Sequence, residues 1–238
     1  MLGVVFSLKK PISIILSLIA IVILTMGIYL LIITIQEMVF VPNDYVMWTF
    51  NYPTSRLIFI YELYLLIGFF YILYKKESQN KGSEAKDRFI KMNRNYIFAF
   101  IASNIVLFYI IVSAVTVITS NKIIDYSFLY PQGREFSYKD VVKISTGVYG
   151  DKFYLPFTHS KGEFFYIIEL ADGKKVHLNE LGGVMNDEHV FFIIEELDRE
   201  FVNMGIPKVS SMENFQYTTE HLDEIYTDKI QSILENTN

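Results

Sequence analysis

An integral membrane protein, with three transmembrane helices in its first half and a soluble α+β domain in its second, is the fold class this 238-residue chain predicts. Three observations carry the expectation. Three long apolar runs precede residue 120, the pattern changes to short alternating segments after Ile118, and the charge balance reverses between the halves. Residues 1–120 hold 10 Lys and Arg against 6 Asp and Glu, while residues 121–238 hold 11 against 20. An acidic second half lacks the clustered cations that neutralise phosphates, which argues against nucleic acid as a partner.

The first run, Pro11 to Ile35, is uncharged and longer than the roughly 20 residues that cross a hydrocarbon core of about 30 Å. Lys9 and Lys10 precede it as in a signal peptide, but the run exceeds a signal's apolar core and no small-residue cleavage site follows, so an uncleaved anchor is expected. The second run, 57–74, carries one charge, Glu62, and the third covers 96–118. Short loops rich in Lys and Arg stay cytoplasmic. The 75–95 loop holds seven such residues and the 36–56 loop only Arg56, so the N-terminus is assigned to the cytoplasm and the C-terminal domain to the outside of the plasma membrane. Trp48, Phe50 and Tyr52 read as interfacial anchors, since Asn43, Asp44, Asn51 and Arg56 around them are costly in lipid.

Within the spans, Glu62 is the ionisable residue to examine, because such groups usually face protein or water. At about 1.5 Å per residue it lies about 8 Å in from Leu57, and Tyr29 about 9 Å in from Ile35, so the two can meet. A proton or ligand site is one reading, and a neutral carboxyl that locks helices together is the other. Asn104, with Ala99 and Ser103 at small-xxx-small spacing, points to helix packing on the third span.

After Ile118 the residues read as strands: Lys122 to Tyr130, Tyr138 to Val148, Phe164 to Leu170, and Lys174 to Leu178 across the Asp172-Gly173 hairpin turn. A helix follows from Val190 to Met204, with Asn186 as its expected cap and Gly205 and Pro207 beyond its end. A last helix is expected over Thr219 to Leu234. The domain plan is therefore 1–120 transmembrane, 121–207 α+β, and 208–238 a helical extension. Residues after 120 are expected to form a core of their own.

Phe136-Ser137-Tyr138-Lys139-Asp140-Val141, the Phe164 to Leu170 hairpin and the Val190 to Met204 helix together resemble the pleckstrin-homology-like (PH-like) domains of bacterial multi-pass membrane proteins. The resemblance covers about residues 121–207. It implies a small antiparallel sheet or barrel plus a closing helix, to which the C-terminal helix is an addition, and a binding or scaffold role rather than a catalytic one. The Lys and Arg cluster of phosphoinositide-binding members is not evident.

No residue set forms a catalytic signature, so an enzyme is not expected. Cysteine is absent, and the four histidines lack the spacing of a helical metal motif, so neither a metal nor any other cofactor is expected. Gly182-Gly183 lacks the Lys-Ser/Thr sequel of a phosphate-binding loop. The segment 149–162 interleaves aromatic with polar residues, and Phe153, Tyr154, Phe157, His159 and Lys161 are its candidate binding residues. Two functions stay open. One is a non-enzymatic membrane-anchored binding, scaffold or sensor-accessory protein, partnered by the lipid bilayer and by a protein or peptide. The other is a small transporter or channel component that uses Glu62 in a homo-oligomer.

Overall fold

The computed structural model describes residues 9–58, 60–68, 94–151 and 159–237. They divide into two compact units, Met1–Ile35 with Leu57–Leu107 and Gln36–Arg56 with Phe108–Asn238.

The first unit is helical. Helix α1 (Lys9–Phe40) continues past the unit's edge, 57–68 is helical at every described position, and α2 (Arg94–Val112) likewise runs on into the second unit. Along α1 the side chains of Val22, Ile23, Met26, Leu30 and Leu31 are exposed. The hydroxyls of Thr25 and Thr34 donate to carbonyls of their own helix, Ile21 at 3.1 Å and Leu30 at 2.8 Å.

The expectation of three spans is corrected here. Among the described residues one helix, Ile19–Phe40, is long and apolar enough to cross a membrane. The described apolar part of α2, Phe98–Val112, covers roughly 22 Å at about 1.5 Å per residue, short of a hydrocarbon core of about 30 Å. The third apolar run does not continue as helix to 118, because Val115–Thr119 forms strand β2. All five of its residues are β-branched valine, isoleucine or threonine, which suits a pleated sheet better than the end of a helix. Of the second expected span, 69–74 lies outside the described residues, as does most of the basic loop (75–93) on which the orientation was read.

The second unit is built from two sheets. Its first strand, β1 (Tyr45–Phe50), comes from between the first two apolar runs. It pairs antiparallel with β2 on one side and with β8 (Leu181–Val184) on the other. Strands β3 (Lys122–Ser127) and β4 (Tyr130–Ser137) complete the five-stranded order β4-β3-β2-β1-β8. Trp48 and Phe50 are thus buried strand residues, at 1% and 7% exposure, and not interfacial anchors. The second sheet has the order β7-β6-β5-β9, from β5 (Val141–Val148), β6 (Phe164–Leu170), β7 (Lys175–His177) and β9 (Lys208–Ser210), with β9 parallel to β5.

Helix α3 (Val190–Asn203) presents Ile193, Ile194, Leu197 and Phe201 to the inward-facing residues of β5 and β6, and α4 (Glu224–Glu235) adds Ile230, Ile233 and Leu234 to the same core. The cap of α3 is His189, whose Nδ1 accepts from the Phe191 amide at 3.4 Å, and not Asn186, which sits at φ 61° in the preceding short turn.

One polar network ties the sheets together at an edge. Asp125 on β3, 1% exposed, accepts from Arg134 on β4 at 3.0 Å, from Asn51 at 3.2 Å, and from Lys174 in the β6–β7 turn. Arg134 also pairs with Asp172 of that turn at 2.8 Å.

Gly182 and Gly183 serve packing rather than phosphate. A Cβ at Gly182 would stand 2.1 Å from Cζ3 of Trp48, and one at Gly183 would stand 2.7 Å from its Nε1. The buried indole can lie over β8 only if both positions lack a side chain. Gly182→Ala is therefore expected to destabilise the domain by about 1–3 kcal/mol through overpacking. Thermal unfolding in detergent measures this, and Gly173→Ala, which meets no neighbour but has a positive φ, gives the cost of a backbone effect alone.

Candidate functional site

The cavity that best fits a ligand site forms where the β5–β6 connection closes. Tyr149 and Glu163 begin the closure, the Tyr149 amide donating to the Glu163 carbonyl and the Gly162 amide to the Tyr149 carbonyl, each at 2.9 Å. Inside this neck the Ser160 amide donates to Glu163 Oε2 at 2.9 Å. Gly162 has φ +84°, and a Cβ there would lie 2.7 Å from the Tyr217 carbonyl oxygen, so the turn demands glycine on two counts. The Thr218 hydroxyl donates to the Gly162 carbonyl at 3.0 Å, and Lys161 Nζ stands 3.7 Å over the Tyr217 ring. The turn is thereby fixed to the helical turn Phe215–Thr218.

Three more segments complete the walls of a cavity of about 560 Å³: Asn179 and Leu181 between β7 and β8, Val190, Phe191 and Ile194 at the start of α3, and His221 with Leu222 before α4. Phe164 forms part of the wall and meets Phe191 edge-on at 5.9 Å. The lining is mainly apolar, with Lys161, Glu163 and His221 as the ionisable members. Asn179 is the exception in chemistry. Both its side-chain amide nitrogen and its oxygen are shielded from solvent, and neither has a hydrogen-bond partner among the described residues. Buried polar atoms are nearly always paired, so an amide with donor and acceptor both unmatched beside an apolar cavity calls for a partner.

An aromatic and imidazole cluster adjoins this site along the chain. His159 stacks on Tyr149 at 3.9 Å and 9°, Tyr52 lies 4.6 Å from the His177 ring, and Tyr149 lies 4.6 Å from Phe165. Arg56 pairs with Glu180 at 2.6 Å. Burial, aided by nearby His159, Lys175 and Arg56, pushes the His177 imidazole down to about 4. Its folded value is depressed below the unfolded value of about 6.5, so between about pH 4 and 6.5 the unfolded chain binds the extra proton and stability rises with pH. Acidification through that window is expected to cost up to about 3 kcal/mol from this one residue. Unfolding midpoints at pH 7 and pH 5 measure it, and His177→Gln should flatten the difference. An unchanged pH dependence in the variant would exclude His177 as its source.

Of the residues singled out from the sequence, His159 enters the imidazole cluster and Lys161 lines the cavity. Phe153, Tyr154 and Phe157 lie outside the described residues. In the helical unit Glu62 is buried at 7% exposure, with no hydrogen-bond partner for Oε1 among the described residues. Asn104 donates to the Phe100 carbonyl at 2.8 Å and to the Tyr64 hydroxyl at 3.4 Å, and Tyr29 lies on α1. Sequence reasoning missed Asn179, Phe191, Ile194 and Leu222 as a lining. Only Gly162 signalled their meeting place, by marking a turn too tight for a side chain. Among the described residues no group of three or more His, Asp or Glu is placed to hold a metal ion.

No family model matches the chain, and neither a curated protein nor a solved structure does.

Proposed function

We propose that the chain is a membrane-tethered, non-enzymatic binding protein that takes an apolar peptide segment into the cavity beside Asn179. The carrying observation is the unmatched Asn179 amide in the wall of a mainly apolar cavity: its polar atoms are shielded in this structure, and a rotation of the side chain towards the cavity offers them to a peptide group, which brings one donor and one acceptor. The cavity's volume is that of a ligand pocket, large enough for one or two large side chains.

Helix α1 supplies the tether. Lys9 and Lys10 at its N-terminal end favour the cytoplasm for that end. Because β1 follows α1 directly and pairs with β2, both strands stand on the side that α1 reaches, however residues 51–114 run between them. The domain accordingly faces outward.

Peptides selected from a displayed library against the full chain in lipid nanodiscs provide the test. Asn179→Leu, which removes both polar groups, and Ile194→Trp, which fills the cavity, are each expected to weaken the selected peptides by about tenfold or more, since an unmet buried hydrogen bond costs about 1–3 kcal/mol. Affinity indifferent to both changes would place binding elsewhere.

A further inference from the structure

The turn between β3 and β4 carries three consecutive exposed large apolar residues, Phe128 at 44%, Leu129 at 73% and Tyr130 at 47%. No charged residue occurs between Tyr126 and Gly133. Water gains nothing from such a tip, and strand ends of soluble domains are normally polar.

Its surroundings locate it. The Gln36 amide donates to the Ile111 carbonyl at 3.2 Å, so the C-terminal ends of α1 and α2 lie side by side. Phe40, the last residue of α1, meets the Tyr126 ring at 5.1 Å, and Tyr109 on α2 meets Phe128 edge-on at 5.7 Å. Tyr109 lies two residues before Ile111, about 3 Å nearer the N-terminal end of α2. Phe128 therefore stands within about one helical turn of the level of Gln36, near the end of the apolar segment Ile19–Phe40. Glu37, exposed at that same level, marks the headgroup zone, because a carboxylate stays out of hydrocarbon. Met38 and Val39 add exposed apolar surface on the last turn of α1.

We infer that Phe128, Leu129 and Tyr130 enter the headgroup–acyl boundary of the bilayer, as a second contact that holds the domain against the membrane. The inference rests on α1 as a spanning helix. Aromatic residues prefer this depth, where the ring is sheltered and its polar edge stays wet. Tyr130 also lies under the Arg134 guanidinium at 4.5 Å, which holds its ring at the base of the tip.

The test uses the full chain with Leu129→Trp, reconstituted into phosphatidylcholine vesicles whose acyl chains carry bromine near the headgroup. The native Trp48, 1% exposed inside the domain, serves as the reference in the parent chain. The added indole is expected to emit to the blue of a water-exposed one, to lose most of its emission to the brominated lipid, and to resist aqueous iodide. Quenching by iodide with no effect of bromine would overturn the inference, as would resistance to both, which means the tip is covered by protein. Phe128→Trp reads the same tip if the first variant does not fold. Flotation on a density gradient separates the two layers of the argument: chains that float with an unquenched indole sink the tip contact alone, and chains that do not float sink the tether with it.

Discussion

Residues 121–238 expressed alone are expected not to fold, although they hold seven of the nine strands and both helices of the domain. The missing pair, β1 and β2, are neighbours within the five-stranded sheet, and without them β3–β4 has nothing to join it to β8. They also carry Met47, Trp48, Phe50, Val115, Val117 and Ile118, all at most 7% exposed. At about 1.5–3 kcal/mol for each fully buried large side chain, the loss comes to roughly 10 kcal/mol, comparable with the whole stability of a domain. Restoring 36–56 and 108–120, joined through a Gly/Ser linker, should return a cooperative unfolding transition and dispersed amide resonances. A folded 121–238 fragment would show that the sheet does not need its first two strands.

The second large effect concerns Lys208. Its side chain is fully buried on β9, where Nζ donates to Asp198 Oδ1 at 2.5 Å and to the carbonyls of Ile233 at 2.5 Å and Asn236 at 2.8 Å at the end of α4. Asp198, 1% exposed, also accepts from the Tyr166 hydroxyl at 2.8 Å and from the Asn236 amide at 2.7 Å. One cation therefore holds α3 to α4 and satisfies the carbonyls that a helix end leaves open. Burial lowers the Lys208 pKa, and Asp198 opposes that shift. Lys208→Met should cost about 3–5 kcal/mol, because it strands a buried carboxylate. Asp198→Asn in the same chain removes the stranded charge and should recover part of the loss. Thermal midpoints in detergent are expected to fall by roughly 10 °C for the single change. A near-native midpoint for Lys208→Met would mean that water or rearrangement reaches the site.

The elements that could be read from sequence are those whose determinants are local. The alternation in FFYIIEL, the Asp172-Gly173 turn and the apolar spacing from Val190 to Phe201 lie within their own segments, and strands or helices occupy them. Strands β1 and β2 fail that condition. β2 follows α2 with only Ser113-Ala114 between them, so its valines and isoleucine extend an apolar run that sequence alone assigns to one helix. β1 is buried at its last four positions, which hides period two, and its partner β2 lies some 65 residues away. The cavity is less legible still, since Asn179, Phe191 and Leu222 come from three separate segments.

Strand pairing also alters what the span count decides. Orientation from the basic loop depended on counting three crossings, whereas the β1–β2 ladder keeps both strands beside the C-terminal end of α1, whatever the intervening residues do, so the proposed side depends on α1 alone. That side is tested most directly by labelling Val209→Cys, at an exposed strand position in a chain that has no cysteine, with a membrane-impermeant maleimide. Intact cells are expected to label as completely as lysed ones. Labelling that appears only after lysis would place the domain in the cytoplasm and contradict an outward-facing binding site.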